Sequence, residues 1–434
     1  MPFPSQSKFP PLKAYELTQF CGGRTGAPPD RRALPCPAAH DASAFPIQSI
    51  ARHFFLAALP SAIVLPTERH LRQHSETRGN SMSTTLTRRH FMQSTAALGL
   101  ASPMVITGTR ARAQSSLIVG DMGGAFYEGF KTGFYDDFEK DFDISISATT
   151  MQPDPLPQFK MAVDTNTNLF DVALMTPEHM LRVQNLDGEY FEPLNLTIDN
   201  PEDFIDGNFT EYFAGIGIYA MIMGCRQDSM GENYPKTWTE FWNTESFQGR
   251  RGLWRSPVTT LEIALLADGV APADIYPLDV DRAFAALDRI RKDIDIWWTS
   301  GAQATQLLQN GELDMMSAWS TRAYTAIASG APAGLTWEGV YNIDGWTIPK
   351  GTEKVDLARE FIQYTMDPER QAKFTQKLAL GPANQKAYDF IDPDLAKQFP
   401  TAPDNFDGLI LLNAEYWAEN QDALTERFEQ WILS

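Results

Sequence analysis

Histidine and cysteine, the residues that most often bind metals or act as bases and nucleophiles, are scarce after residue 114. Only Cys225 and His179 lie in that part of the chain. One cysteine cannot form an internal disulfide, and these counts argue against zinc sites, iron–sulfur clusters and Ser-His-Asp or Cys-His catalysis. A carboxylate-only enzyme or a carboxylate-bound metal remains open.

Ser300 and Gly301 are a candidate site for an anionic group. Ser300 is expected to cap a helix that Asn310-Gly311 ends, and the N-terminus of a helix favours negative charge. The preceding pair, Trp297-Trp298, forms either a lid over a ligand or part of the core. We favour the core.

The charge is distributed unevenly along the 434 residues. The net charge is −19, but residues 1–113 carry a net +8 and residues 114–434 a net −27. Such an acidic body argues against a nucleic-acid-binding protein. No stretch of 18 consecutive apolar residues predicts a membrane-spanning helix. The length predicts two or three lobes or domains.

The basic front of the chain has the pattern of an export signal. Arg88 and Arg89 precede His90-Phe91, an apolar run follows at 96–106, and Ala111-Arg112-Ala113 fits a cleavage site. We therefore expect residues 82–113 to be a twin-arginine signal peptide cleaved after Ala113, with the mature chain in the periplasm of a Gram-negative bacterium. Residues 1–81 are expected to come from a misassigned upstream start. The alternative is a real disordered extension.

Strand-like and helix-like patterns alternate after residue 115. Short β-rich runs occur at 116–119, 144–148, 171–175, 218–223, 315–318 and 346–348. This alternation predicts an α/β fold with mostly parallel sheets, in which ligands bind at the carboxyl ends of the strands.

The helices between these strands have recognisable caps and apolar faces. Phe126, Phe130, Phe134 and Phe138 repeat every four residues, which predicts a helix face packed in the core. The residues expected to cap helices are Thr176, Ser300 and Asp356, and a further helical pattern is expected over 279–292. The last helix is expected at 414–432.

Several segments resemble the spermidine/putrescine-type solute-binding proteins of ABC importers. They are 117–138 (LIVGDMGGAFYEGFKTGFYDDF), 171–188, 297–311 (WWTSGAQATQLLQNG), 315–319 and 343–351 (IDGWTIPKG), and they occur in order over 115–434. The resemblance implies a two-lobed periplasmic-binding-protein fold with hinge crossover strands and a ligand cleft between the lobes.

The resemblance also implies lobe boundaries. Lobe 1 would comprise 115–222 with a return segment from about 344, and lobe 2 would comprise 223–343. Residues 344–434 would return to lobe 1 and end in helices that pack across both lobes. The crossovers are expected near 221–226 and 341–346, with Cys225 buried at the first.

Candidate ligand-binding residues follow from the same resemblance. A polyamine needs carboxylates for its ammonium groups and aromatic faces for its methylenes. Trp319 and Asp344 align with a cleft tryptophan and an ammonium-binding aspartate of the family. The first loop adds a looser cluster, consisting of Asp121, Phe126, Tyr127 and Glu128.

One segment departs from the polyamine pattern. The family's polyamine binders carry two acids just before a helix, where this chain has Arg255. An arginine repels a polycation and suits a carboxylate or a phosphonate. Arg255 with Asp344 would fit a zwitterion such as a γ-aminobutyrate-like molecule or an aminophosphonate. Ser300 at its helix N-terminus and the neighbouring Trp298 are separate candidate ligand-binding residues. The alternative for Arg255 is a structural salt bridge.

The sequence therefore predicts a monomeric periplasmic binding component that delivers a polyamine to an ABC permease and its ATPase, after export by the twin-arginine machinery. A zwitterion-binding protein is the first alternative. A twin-arginine-exported enzyme and a ferric-ion-binding protein remain as further alternatives. No catalytic residue, cofactor, metal or nucleic acid is expected.

Overall fold

The computed structural model describes residues 115–167 and 169–434. The predicted extension at 1–81 and the predicted signal, with Arg88, Arg89 and Ala113, lie outside the described residues. The strands of the described part are β1 (Ser116–Asp121), β2 (Ser145–Thr150), β3 (Val172–Met175), β4 (Phe191–Glu192), β5 (Ala214–Arg226), β6 (Arg251–Trp254), β7 (Ile294–Trp298), β8 (Met315–Trp319), β9 (Ala333–Pro349), β10 (Gly381–Pro382) and β11 (Leu409–Leu411).

Helices lie between these strands and after them. They are α1 (Gly124–Phe130), α2 (Asp136–Phe142), α3 (Leu156–Asp164), α4 (Pro177–Gln184), α5 (Gln227–Met230), α6 (Trp238–Trp242), α7 (Thr260–Ala267), α8 (Val280–Ile290), α9 (Gly301–Asn310), α10 (Ser320–Ala328), α11 (Val355–Thr365), α12 (Pro368–Leu378), α13 (Pro393–Ala396), α14 (Pro403–Phe406) and α15 (Ala414–Leu433). A π-helical segment, Lys131–Tyr135, joins α1 to α2. None of the described helices is long and apolar enough to cross a membrane.

The strands form one mixed sheet in the order β2-β1-β3-β9-β5-β8-β6-β7, with β4 and β11 paired to β9 and β10 to β5. The outer strands are parallel, β1 with β2 and β3, and β6 with β7 and β8. The central pairs, β3 with β9, β9 with β5 and β5 with β8, are antiparallel. The predicted α/β class is confirmed. The expectation of mostly parallel sheets holds for the outer strands and for the short pairing of β11 with β9. It fails for the centre of the sheet, because β5 and β9 run through it in opposite directions.

The long strands β5 and β9 connect separate hydrophobic cores. Ala214 and Ile216, early in β5, pack in the core that contains Trp346. Met223 and Cys225, late in the same strand, pack in another core. The predicted crossovers at 221–226 and 341–346 lie within these two strands. Cys225 is fully buried, as expected.

The pairing of the two long strands is interrupted at the midpoint. Met221 lies opposite Val340, but Met223 lies opposite Thr336, so β9 bulges between these pairs. Gly339 lies in the bulge, where a Cβ atom would come within 2.0 Å of the carbonyl oxygen of Met221. Only glycine allows this close approach of the two backbones.

Two of the three residues predicted to cap helices, Thr176 and Ser300, occupy cap positions. The Ser300 side chain accepts a hydrogen bond from the third residue of α9, as predicted, and Asp279 caps α8 in the same way. The predicted cap at Asp356 is wrong, because α11 begins at Val355 and Lys354 occupies the cap position, two residues earlier than predicted. Asp356 instead lies in the first turn, where its charge is favourable for the helix dipole. Thr176 occupies the predicted cap position of α4 but makes no capping bond.

The predicted phenylalanine stripe is buried. Phe130, Phe134 and Phe138 are fully buried and Phe126 is 9% exposed. The Phe130 ring stacks on that of Phe374 in α12, with centroids 4.6 Å apart. The stripe spans α1, the π-helical segment and α2, and it packs this part of the chain against the C-terminal region, so the prediction of core packing is confirmed.

The last helix, α15, contacts both sides of the molecule. Its residues Trp417, Leu424 and Phe428 are buried in the same core as Met223. On the other side, Asp422 accepts a hydrogen bond of 2.9 Å from Arg182 of α4. The helix was predicted to end at residue 432, and it ends at Leu433.

Candidate ligand-binding site

A cavity of about 340 Å³ lies at the carboxyl ends of β1, β3, β6 and β8 and beside the middle of β9. This is the place expected for a ligand in an open α/β sheet. Its apolar lining includes Phe126, Leu174, Met175, Tyr219, Trp254, Trp319 and Val340. Its polar lining includes Asp154, Thr176, Glu178, His179, Ser256, Thr259, Arg322, Asn342, Asp344 and Gln421.

Asp344 is an unpaired carboxylate in this cavity. It lies on β9 with 8% of its surface exposed. Within residues 115–167 and 169–434, no group donates a hydrogen bond to it. Burial, and to a lesser extent the charge of Glu178, raise the pKa of the Asp344 carboxyl to about 7. Because an isolated buried charge is costly, this carboxylate requires a proton or a cation as its partner.

The neighbouring carboxylate, Glu178, is held by hydrogen bonds. Its Oε1 accepts from the Thr176 hydroxyl at 2.6 Å, and its Oε2 accepts from Nδ2 of Asn342 at 3.0 Å. The same Asn342 nitrogen lies 3.3 Å from the hydroxyl oxygen of Tyr219. Glu178 therefore adds negative potential near Asp344 from a fixed position.

Arg322 supplies the opposite charge. It is half-buried in the first turn of α10. No acidic side chain of the described part of the chain lies within salt-bridge distance of its guanidinium, and burial lowers the guanidinium pKa. The guanidinium stays charged, since its ordinary pKa is above 12. A cation in the first turn also faces the positive end of the helix dipole, so a bound anion would relieve both effects.

Aromatic rings form one wall of the cavity. The rings of Trp254 and Trp319 meet at 65° with centroids 4.9 Å apart. Trp298 packs behind them, 5.1 Å from the Trp319 ring, and its Nε1 donates to the carbonyl of Ser317. Rigid rings of this kind can cover the methylene groups of a ligand.

These features define the kind of ligand that the cavity can bind. It offers one unpaired carboxylate, one unpaired guanidinium and an aromatic wall, which together fit a small organic ion with an apolar middle. No group of three or more histidine, cysteine, aspartate or glutamate side chains in the described residues could hold a metal ion.

Three of the predicted site residues line this cavity and six do not. Phe126, Trp319 and Asp344 line it. The predicted residues outside the lining are Asp121, Tyr127, Glu128, Arg255, Trp298 and Ser300.

The predicted residues of the first loop that lie outside the lining either contact other parts of the chain or are exposed to solvent. The carboxylate of Asp121 accepts from the backbone N–H of Gly123 at 2.7 Å and from the hydroxyl of Tyr135 at 2.9 Å. Tyr127 is half-buried against Tyr135, and Glu128 is exposed to solvent. Asp121 thus fixes the loop that leads to Phe126.

The remaining predicted residues also have partners within the chain. Arg255 pairs with Glu429 of α15 at 2.6 Å, which is the structural alternative considered for it. The Ser300 hydroxyl accepts from the backbone N–H of Gln303 at 3.2 Å and is occupied in capping α9. Trp298 is fully buried and supports the aromatic wall from behind.

Sequence reasoning missed Arg322, Glu178 and Asn342. A usable signal existed for Arg322, because a cation three residues after the strand-ending Trp319 opposes the dipole of the helix that begins there. Glu178 and Asn342 gave no such signal, since their importance depends on contacts between β9 and α4.

Known proteins that are similar to this chain are solute-binding proteins. The family model of bacterial extracellular solute-binding proteins matches residues 133–405. The chain is 32% identical over 329 residues to a γ-aminobutyric acid-binding protein of Pseudomonas aeruginosa PAO1, covering 74% of this chain and 92% of that protein.

Solved structures that are similar to this chain include proteins named for binding a solute. An ABC transporter substrate-binding protein from Bradyrhizobium japonicum USDA 110 is similar, with a TM-score of 0.68 at 30% identity over 73% of this chain and 99% of that one. A structure described as a GABA receptor is also similar, with a TM-score of 0.67 at 28% identity over 73% and 98% of the two chains. The chain therefore belongs to the bacterial extracellular solute-binding proteins, as the solute-binding component of an ABC importer and not as an enzyme.

Proposed function

We propose that the protein binds a linear ω-amino acid of the γ-aminobutyrate class and presents it to its permease. The carboxylate of the ligand would pair with Arg322 and its ammonium group with Asp344. The methylene chain between them would lie against Trp319 and Trp254.

The observation that carries this proposal is the pair of unpartnered, opposite charges in one cavity. Arg322 and Asp344 both line it, and neither has an ionic partner in the described part of the chain. A zwitterion satisfies both charges, whereas a polyamine leaves Arg322 facing a like charge. Relatives that are named for γ-aminobutyrate support the same class of ligand.

A polyamine is the second candidate, because three carboxylates line the cavity. Two of them already have partners, however. Glu178 is bonded to Thr176 and Asn342, and Asp154 accepts from Arg182 at 3.1 Å. Only Asp344 is left to bind an ammonium group, and a polyamine requires more than one such carboxylate.

The assignment is tested with three variants and isothermal titration calorimetry. Arg322→Gln and Asp344→Asn should each weaken γ-aminobutyrate binding about 10–100-fold, because each removes a charge-assisted contact. Arg255→Gln is the matched arginine control and should bind as the wild type does, since Arg255 is paired with Glu429.

Two outcomes would contradict the assignment. If Arg255→Gln loses affinity for γ-aminobutyrate and Arg322→Gln does not, the carboxylate of the ligand binds Arg255 and not Arg322. Putrescine binding that is tighter than that of γ-aminobutyrate and improves in Arg322→Gln would favour the polyamine.

We further propose that residues 115–222, with the return segment from about 344, form lobe 1 and residues 223–343 form lobe 2. β5 and β9 would act as the hinge between them. The separate cores at the two ends of β5 support this division.

Proteins of this family act outside the cytoplasmic membrane, which in Gram-negative bacteria means the periplasm. We propose export by the twin-arginine route with cleavage after Ala113. The double change Arg88→Lys and Arg89→Lys should leave the precursor in the cytoplasm on cell fractionation, and a chain that starts at Met82 should still be exported. Periplasmic protein from the double variant would contradict this route.

A further inference from the structure

We propose that Gly301 positions Arg322 and thereby sets the preference of the site for a carboxylate; this rests on the function proposed for Arg322. Gly301 is the first residue of α9, on the element beside α10. A Cβ atom at Gly301 would lie 2.5 Å from Nε of Arg322 and 3.2 Å from its Cδ and Cζ. The guanidinium end of Arg322 therefore lies directly on the backbone of Gly301.

Contacts with uncharged groups, rather than ion pairs, set the direction of this arginine. The ring of Phe126 lies near the guanidinium, with its centroid 5.9 Å from Cζ. The two helices are also tied together, because the Thr305 hydroxyl of α9 donates to the backbone carbonyl of Arg322. In the described residues no acidic side chain competes for the guanidinium, so the contacts with Gly301 and Phe126 decide where its charge lies.

The backbone of α9 gives no reason for a glycine at this position. Gly301 is helical, and its φ lies outside the left-handed region that favours glycine. Ser300 already provides the cap. Alanine is the better helix former at such a position, so the lack of a side chain is explained by the space that Arg322 occupies.

Gly301→Ala is therefore a change that moves Arg322 without breaking the helix. The new methyl group would displace the flexible end of the arginine and not a backbone atom. We expect γ-aminobutyrate affinity to fall about tenfold or more, since charge-assisted bonds depend on distance and direction. The affinity for γ-aminobutyramide, which has the same amine but no carboxylate, should stay nearly unchanged. Thermal unfolding should occur at the same temperature as in the wild type or higher.

A neighbouring substitution provides the control. Ala302 is exposed in the same turn of α9, so Ala302→Ser should leave the binding of both ligands unchanged. The double variant Gly301→Ala with Arg322→Gln should bind γ-aminobutyrate as weakly as Arg322→Gln alone, because the two changes act through one side chain.

The outcomes separate this inference from the proposed function. If Arg322→Gln weakens γ-aminobutyrate binding and Gly301→Ala does not, the role of Gly301 is overturned and the proposed function stands. Equal losses for the acid and the amide in Gly301→Ala would also overturn it, since they indicate a general disturbance of the cavity. If Arg322→Gln binds γ-aminobutyrate as tightly as the wild type, the proposed function itself fails.

Discussion

A wholly or partly desolvated charge with no ionic partner among the described residues is the feature that marks Asp344 and Arg322. Most acidic side chains of the chain can be solvated or paired, and such residues say little about function. Asp344 is 8% exposed and unpaired, and its desolvation is offset only when a cation or a proton arrives. The ligand-free site therefore carries the unfavourable free energy of a desolvated carboxylate, and a ligand cation gains affinity by relieving it.

The raised pKa of Asp344 predicts that binding depends on pH. Its carboxyl has a pKa of about 7 because of burial and the nearby charge of Glu178. Only the ionised form pairs with an ammonium group, so the affinity for γ-aminobutyrate should fall as the pH drops below 7. Calorimetry should give binding about tenfold weaker at pH 6 than at pH 8, with proton release on binding.

The surrounding groups determine the controls for this prediction. Glu178, Tyr219 and His179 line the same cavity. His179→Gln should keep the pH dependence, whereas Asp344→Asn should bind weakly at both pH values. Equal affinity of the wild type at pH 6 and pH 8 would contradict the raised pKa of Asp344.

At the residue scale, resemblance and side-chain type predicted Trp319, Asp344 and Phe126 in the cavity. The sequence could not distinguish Arg255 from Arg322, because both follow a strand-ending tryptophan. The difference arises from distant elements. Glu429 of α15 reaches Arg255, and no acid of the described residues reaches Arg322.

At the scale of elements, Glu262 joins α7 to α15 and to the segment before α8. Its Oε1 accepts from the Tyr276 hydroxyl and from Nε1 of Trp417, both at 2.6 Å. Its Oε2 is buried with no partner in the described residues. Burial raises the pKa of this carboxyl to about 7, so the folded protein favours its protonated form.

This predicts a stability that falls as pH rises. The protonated Glu262 contributes fully below its ordinary pKa of about 4.5, and this contribution is lost as the pH rises through about 7. Glu262→Gln keeps an acceptor for Tyr276 and Trp417 but cannot ionise. Chemical unfolding should show the variant more stable than the wild type by up to about 3 kcal/mol at pH 8, with a smaller difference at pH 5. A variant destabilised equally at both pH values would contradict this role.

Elements that depend on local contacts could be predicted from the sequence, and elements that depend on distant pairing could not. Caps such as Ser300 act within one turn, so the start of α9 was predictable. The residue pattern predicted β9 only at 346–348 and the resemblance added a crossover near 341–346, although the strand begins at Ala333. Gly339, Asn342 and Asp344 are poor strand formers locally, and it is pairing with β5 that holds them extended.

At the scale of the whole molecule, β5 and β9 connect two cores. The last helix, α15, packs in one of these cores and contacts α4 through Asp422 and Arg182. The bulge at Gly339 interrupts the pairing of the two strands where they pass between the cores. We expect closure of the lobes about this region when ligand binds. Small-angle scattering should show a smaller radius of gyration at saturating γ-aminobutyrate.

The matched control for closure is Asp344→Asn. At a ligand concentration that saturates only the wild type, this variant should keep the radius of its ligand-free form. An unchanged radius for the wild type with bound ligand, verified by calorimetry in the same buffer, would argue against closure.

The most direct test of the central claim compares the affinities of the wild-type protein for three ligands that share a four-carbon chain. γ-Aminobutyrate carries both charges, putrescine carries two ammonium groups, and butyrate carries only the carboxylate. Titration calorimetry at pH 8 should give micromolar or tighter binding for γ-aminobutyrate, about 8 kcal/mol or more, with both other ligands much weaker. Binding of putrescine or butyrate as tight as that of γ-aminobutyrate would contradict the account, since the cavity would then not be using both Arg322 and Asp344.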